Sequence, residues 1–247
     1  MHKLFIGCPF GNYFHWRDTV RTLGTYTFHY RAGFWRRLWR ILKTVRYNRR
    51  TQSWVNNLGL PNPGLASLKS IPADAVLSIH GFTAAEWTAL VQLAAKMGAT
   101  NLEFNLSCPN VDKAILAEVL PAIALSQTLG VTVVAKLPPI GWASWMAPLY
   151  DAGVANFHLC NTLPGPNGGR SGKCLKPLAL SAVEEAKIRW PHSCLIGGGG
   201  ITGLDDVKDF LNAGADNISV ASMLFNPFNW CKVPLIRDFL ALHSQAA

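Results

Sequence analysis

Asn105, Cys108 and Asn110 stand within one hexapeptide, NLSCPN (105–110), directly after an apolar run that contains Leu102 and Phe104. A thiol between amides has two readings. It is a buried cysteine in a strand-end turn, or a nucleophile or base flanked by groups that grip a substrate. An amide offers a donor and an acceptor together, which suits a ring of alternating N–H and C=O groups. Lys136, in VVAKLPP, ends another apolar run. A buried lysine needs a partner, so it either reaches solvent at a rim or sits beneath an anion. LIGGGGITG (195–203) precedes a helical pattern. Glycines at a strand end let backbone N–H groups approach an anion, and a helix N-terminus adds a favourable field; the plainer alternative is a tight turn. CNTLPGPNGGRSGKCLKP (160–177) is a long glycine-rich stretch, a surface excursion or a functional loop.

These residues need a frame. The chain has 247 residues, 49% of them apolar, enough for one sizeable core and close to the usual length of a (β/α)₈ barrel. Short apolar, β-branched runs predict strands at 3–8, 25–29, 75–80, 101–106, 131–136, 155–160, 194–197 and 217–221. Amphipathic helical patterns lie between them at 84–98, 177–190 and 203–215. Alternating strands and helices imply a parallel sheet. Eight strands in this length predict an α/β fold: a closed (β/α)₈ TIM barrel, a single domain over 1–247. An open doubly wound sheet is the alternative, but its GxGxxG after the first strand is absent. In a barrel the chemistry sits at the C-terminal strand ends. NLSCPN ends the fourth expected strand, AKLPP the fifth, the glycine-rich stretch the sixth, GGGGI the seventh and ASML the eighth.

No apolar run approaches the roughly 20 residues that span a bilayer, and MHKLFIGCPFG carries too short an apolar run for a secretory signal. A cytoplasmic protein is expected. The six cysteines form no CxxC pair, so no zinc site and no disulfide framework are expected; most should be reduced core residues. The formal charge is +9, much of it in the basic amphipathic segment 31–50. Over 34–47 a helical wheel places Trp35, Leu38, Trp39, Ile41, Leu42 and Val45 on one face and Arg36, Arg37, Arg40 and Lys43 on the other. Two readings stay open: a barrel helix packing its apolar face inward, or a peripheral helix for an anionic partner, a membrane surface or an acidic protein. RNA is a less favoured partner.

NLSCPN, VAKLPP, CNTL…GGRSGKCLKPLAL, LIGGGGITGLDDVKDFLNAGA and WVNNLGLPNPG (54–64), in their order, resemble the dihydroorotate dehydrogenases, FMN-dependent (β/α)₈ barrels of pyrimidine synthesis. The similarity runs from about residue 24 to residue 239. The resemblance implies that FMN is the cofactor and a pyrimidine the substrate. It matches Cys108 to the catalytic base, which removes a C5 proton from dihydroorotate while the flavin takes a hydride from C6; a cysteine there looks like the soluble class 1 enzymes. It matches Asn56, Asn105, Asn110 and Asn161 to the asparagines that hold the pyrimidine, and Thr162 to a neighbouring polar contact. Lys136 matches the lysine at the flavin ring, where positive charge favours the reduced form. Gly169, Ser171 and Gly172 match the loop flanking FMN, and Gly199, Gly200, Ala221 and Ser222 the phosphate cradle. Dimers are common in that class, so a homodimer is one expected assembly. Fumarate, NAD through a partner subunit and quinone all serve as acceptors in the wider family.

Three departures accompany the match. Where the family has a lysine at the end of its second strand, the alignment places Gly24, with Arg21 nearby. The lid segment after the NLSCPN motif is short. GCPFGNY differs from the family's first-strand loop. Two alternatives therefore stand beside dihydroorotate oxidation: a degenerate flavin-binding barrel without turnover, and an RNA flavoenzyme resembling tRNA-dihydrouridine synthases. A thiol of reference pKa about 8.5 is mostly protonated at neutrality, so turnover through a cysteine base is expected to rise with pH.

Overall fold

The computed structural model describes residues 2–108 and 115–246; Asn110 and the start of the segment after the NLSCPN motif lie outside the described residues. Among the described residues eleven strands form two sheets. Eight close a parallel barrel: β1 (Leu4–Ile6), β2 (Val20–Tyr26), β5 (Ala75–Ile79), β6 (Asn101–Asn105), β7 (Thr132–Lys136), β8 (Asn156–Leu159), β10 (Cys194–Gly198) and β11 (Asn217–Val220), with β1 pairing both β2 and β11. The other three, β3 (Arg46–Asn48), β4 (Ser53–Asn56) and β9 (Gly169–Gly172), form a small antiparallel sheet in the order β3-β4-β9. The (β/α)₈ expectation holds.

Six helices follow the strands from β5 onward: α2 (Ala84–Lys96), α3 (Leu116–Thr128), α4 (Trp142–Asp151), α5 (Lys176–Arg189), α6 (Leu204–Asn212) and α7 (Lys232–Ala246). The first two strands depart from this pattern. A single 3₁₀ turn, Phe10–Asn12, connects β1 to β2. After β2 comes α1 (Phe34–Thr44), which buries none of its residues. The inward-packing reading of the basic segment is therefore incorrect. The helix also stops before Val45, which falls outside the apolar stripe assigned to it.

The second strand needs correction too. The aromatic, β-branched run TYTFH suggested 25–29, but the ladder begins at Val20 and ends at Tyr26. Arg21, Thr22 and Leu23 pair with Ala75, Val76 and Leu77, then the register shifts before Tyr26 meets Ile79. Gly24 lies inside this irregularity at φ +110°. It marks a bulge within the strand, not a break before it. Asn12 fixes the bulge by donating to the Gly24 carbonyl at 2.9 Å and accepting from its N–H at 3.0 Å.

Alternation along β6 divides core from site. Leu102 and Phe104 are fully buried against the helix layer, where Phe104 stacks on Trp87 of α2 with ring centroids 5.1 Å apart and planes 2° from parallel. Period-2 geometry then aims Glu103 and Asn105 into the barrel. Thr83 caps α2, its hydroxyl accepting from the Glu86 N–H, while the Glu86 carboxylate accepts from the Phe82 N–H one residue before the cap. Trp87 is held by burial and ring packing, since its indole N–H is buried without an acceptor. Trp87→Ala should therefore cost about 3–5 kcal/mol, whereas Trp87→Phe should retain most of the stability; urea unfolding midpoints of the two variants distinguish these outcomes.

Candidate active site

The C-terminal strand ends surround a cavity of about 480 Å³, within the size range of small-molecule and cofactor sites. Its wall includes Asn56 from β4, Asn105 from β6, Cys108 just after it, Lys136 from β7, Asn161 and Thr162 after β8, and Ser171 and Gly172 from β9. Gly199 and Gly200 after β10 and Ala221 and Ser222 after β11 complete it. Of the predicted residues, Gly169 stands outside the wall, one register step from the cavity, paired with Asn56 in the β4–β9 ladder. Asn110 is outside the described residues.

Three charged or ionisable side chains from successive strands meet at the floor of this cavity, where Lys136 and His158 line it. The Lys136 ammonium lies 3.6 Å from one Glu103 oxygen, and His158 Nδ1 lies 2.7 Å from the other. Burial alone would raise the Glu103 carboxyl, but the Lys136 charge and the His158 hydrogen bond outweigh it and hold the group at about 2. Burial works against the Lys136 charge as well, and the Glu103 carboxylate reverses that, so its pKa is raised. His158 is lowered, first by burial and then by Lys136. The cluster is thus carboxylate, ammonium and neutral imidazole, with the imidazole Nδ1–H donating to Glu103. Lys136 is neither a rim lysine nor unpaired. Its partner, Glu103, was missed because an acid inside an apolar strand run reads as an outward residue until the pleat is known.

Above the cluster the amides are oriented by one another. Asn161 Nδ2 donates to Asn105 Oδ1 at 2.8 Å, and Asn105 Nδ2 donates to Thr25 Oγ1 at 2.9 Å. Thr25 Oγ1 is in turn 2.9 Å from Ser78 Oγ. Asn161 Oδ1 accepts the Thr162 N–H at 2.8 Å. Both amide carbonyls keep a second lone pair for a ligand. Thr25 and Ser78, which fix this chain, carry no sequence signal beyond their place in strands.

Cys108, Cys8 and Cys160 all line the cavity. Burial pushes Cys8 up to about 12, with the Glu103 charge adding to it, and burial pushes Cys160 to the same value. Both are therefore thiols across the neutral range. Burial does not extend to most cysteines as expected: Cys108 and Cys160 are buried, Cys8, Cys174 and Cys194 partly so, and Cys231 is exposed.

The glycine wall fits an anion. A Cβ on Gly200 would lie 2.8 Å from the Gly172 carbonyl, and one on Gly172 2.7 Å from the Gln52 carbonyl, so two loops touch backbone to backbone. Gly199 and Gly200 have φ of +129° and +79°. Among the described residues no protein acceptor takes the N–H of Gly199, Gly200, Ala221 or Ser222. Four donors grouped at two strand ends, close to the N-terminus of α6, form the type of cradle a phosphate fills.

Gly24 closes the question of the missing lysine. A Cβ there would stand 2.5 Å from the Ser78 carbonyl and 2.8 Å from the Tyr26 nitrogen, so no side chain fits on this backbone. Arg21 lines the cavity but is held 3.4 Å from Asp74.

The chain is 31% identical over 195 residues to the dihydroorotate dehydrogenase B (NAD(+)) catalytic subunit of Thermotoga maritima, a match covering 69% of this chain and 72% of that protein. It is 31% identical over 208 residues to the corresponding subunit of Endomicrobium trichonymphae, covering 71% and 67%. It is 32% identical over 212 residues to that of Desulforamulus reducens, covering 70% and 68%. The fold is similar to that of ligand-free dihydroorotate dehydrogenase from Eimeria tenella, with a TM-score of 0.69 at 17% identity over 92% of this chain and 78% of that one. No protein-family model matches the chain.

The buried cluster yields a stability prediction. Glu103→Gln leaves Lys136 without its counter-charge and should cost about 3–5 kcal/mol, read from urea midpoints at neutral pH. The midpoint of the unsubstituted protein should fall with acid in two ranges. His158 contributes below its ordinary value of about 6.5 and Glu103 from about 4.3 down toward 2, because in each interval the unfolded chain binds more protons.

Proposed function

The chain belongs to the dihydroorotate dehydrogenase family, and on that premise we propose that it is an FMN-dependent oxidoreductase that converts dihydroorotate to orotate in pyrimidine synthesis. The observation that carries this reading is the union of Cys108, the Asn105–Asn161 amide pair and the four unpartnered N–H groups around one cavity.

The residues present fit the cofactor. Gly199, Gly200, Ala221 and Ser222 would hold its phosphate, Ser171 and Gly172 would flank it with Gly169 setting the β9 register behind them, and Lys136 would lie at its ring. When bound, FMN supplies the acceptor for the hydride that leaves C6 of the substrate. The protein's own part is binding and proton transfer. Asn56, Asn105, Asn161 and Thr162, with Asn110 from the adjoining segment, bind the pyrimidine edge. The hydrogen bonds that join Asn105, Asn161 and Thr162 fix which amide end faces the ring, and such preorganisation lowers the cost of orienting substrate. Cys108 takes the C5 proton as a thiolate and becomes a thiol. Cys8 and Cys160, held as thiols by burial, do not compete for this role. Lys136 keeps its charge through Glu103 and offers a fixed positive field where negative charge grows.

One observation favours a second reading. The backbone at Gly24 excludes the lysine that the family places there, so the barrel could hold flavin and ligand without turnover. Oxygen-free titration of the purified flavoprotein with dihydroorotate separates the two. Loss of the oxidised flavin absorbance band supports dehydrogenation, and a flavin that keeps its colour supports the binding barrel. In the dehydrogenase, Cys108→Ala should lower kcat by roughly 10²-fold or more while retaining flavin.

A further inference from the structure

Helix α1 is turned inside out. At about 100° per residue, Arg37, Arg40 and Thr44 share the side that meets the rest of the protein. Arg37 stacks over the Tyr13 ring at 5.8 Å and donates to its hydroxyl, and Arg40 donates to the Leu58 carbonyl at 2.8 Å. Thr44 is spent on its own helix, donating to the Arg40 carbonyl. The opposite side is apolar: Trp35 is 78% exposed, Leu42 68%, Phe34 64% and Trp39 57%, with Leu38 also exposed. An ordinary barrel helix does the reverse. Exposing a contiguous Trp–Phe–Leu ridge marks an interaction surface.

The charge around the ridge selects the occupant. Arg36 and Lys43 border it, Arg46, Arg49 and Arg50 follow it, Arg31 precedes it, and 31–50 holds no acidic residue. A second copy is disfavoured on two grounds: each chain carries +9, and a helix of eleven residues, ~17 Å long and ~10 Å wide, offers a face of roughly 170 Å², well short of the roughly 800 Å² per partner of a stable interface. Among the described residues no helix is long and apolar enough to cross a membrane. A convex ridge of tryptophan, phenylalanine and leucine fringed by arginine and lysine is the composition of a helix that lies in the headgroup layer.

We propose that α1 docks this protein on an anionic lipid surface, with Phe34, Trp35, Leu38, Trp39 and Leu42 inserted and the surrounding arginines and Lys43 on the headgroups. Arg37 and Ile41 of the same helix also line the cavity, so docking sets the cavity mouth beside the bilayer. This surface is independent of the reaction proposed above.

Co-sedimentation with vesicles tests it. The full chain should pellet with vesicles of phosphatidylcholine and phosphatidylglycerol, stay in the supernatant with phosphatidylcholine alone, and be released by raised salt, which screens exposed charge. The double variant Trp35→Glu, Leu42→Glu should lose partitioning by roughly tenfold or more. Its circular dichroism and melting temperature should be unchanged, because neither side chain packs on the barrel. A variant that does melt early is replaced by Arg36→Gln, Lys43→Gln, which should weaken binding to the anionic vesicles alone. The proposal is overturned by failure to pellet, by equal pelleting with both vesicle types, or by partitioning that survives both variants. It is also overturned if the glutamates instead dissociate a lipid-free dimer, or if the ridge binds only an acidic protein. Flavin reduction in lipid-free solution is read separately, so loss of one result leaves the other standing.

Discussion

A carboxylate, an ammonium and a neutral imidazole share the interior of the barrel, and neither of the two charges is tolerable there alone. Glu103, Lys136 and His158 come from three adjacent strands, so their mutual neutralisation requires the register that pairs Asn105 with Lys136 and Lys136 with His158. A slip of one residue would turn every one of these groups into the helix layer and bring Phe104 and Ala135 inward. The ionic cluster is therefore also a register lock. Gly198 belongs to it as well: a Cβ there would crowd the Ser219 carbonyl at 2.8 Å and approach His158 Nε2 at 3.4 Å. The cavity above inherits its geometry from this lock, because Asn105, Cys108 and Asn161 continue the same strands.

Much of this architecture is legible in the sequence. Strands buried on both faces, such as AVLSI at β5, stand out as continuous apolar runs, and the helical patterns at 84–98, 177–190 and 203–215 match α2, α5 and α6 closely. The motif residues at strand ends are visible because polar and glycine residues interrupt apolar runs there. What stays hidden depends on side-chain direction. Glu103 and Thr25 matter through the face they occupy, and a bulge at Gly24 changes that face midway along β2. A glycine followed by TYTFH reads locally as a turn and then a strand; only pairing with β5 shows that the strand had already begun.

The connections after β1 and β2 pack no helix of their own on the barrel, and an aromatic cluster gathers beside the cavity. Phe14 stacks on Trp16 and meets Trp230, Phe10 meets Phe225 edge-on, and Phe225 contacts Trp54 of the small sheet, which contacts Tyr47. Large rings bury much area per residue at low entropic cost. Helix α1 stands outside the shell, with no residue buried.

The pairing of β1 with β11 joins Leu4 to Ile218, and closure over such a span is entropically costly and comes slowly in folding. Until that seam shuts, both strands present open edges, the part of a sheet most apt to pair with another chain. The strongly positive charge opposes such encounters between copies. During folding, then, the surplus of arginine and lysine serves as a repulsive guard for an unfinished cylinder, whatever surface it later meets.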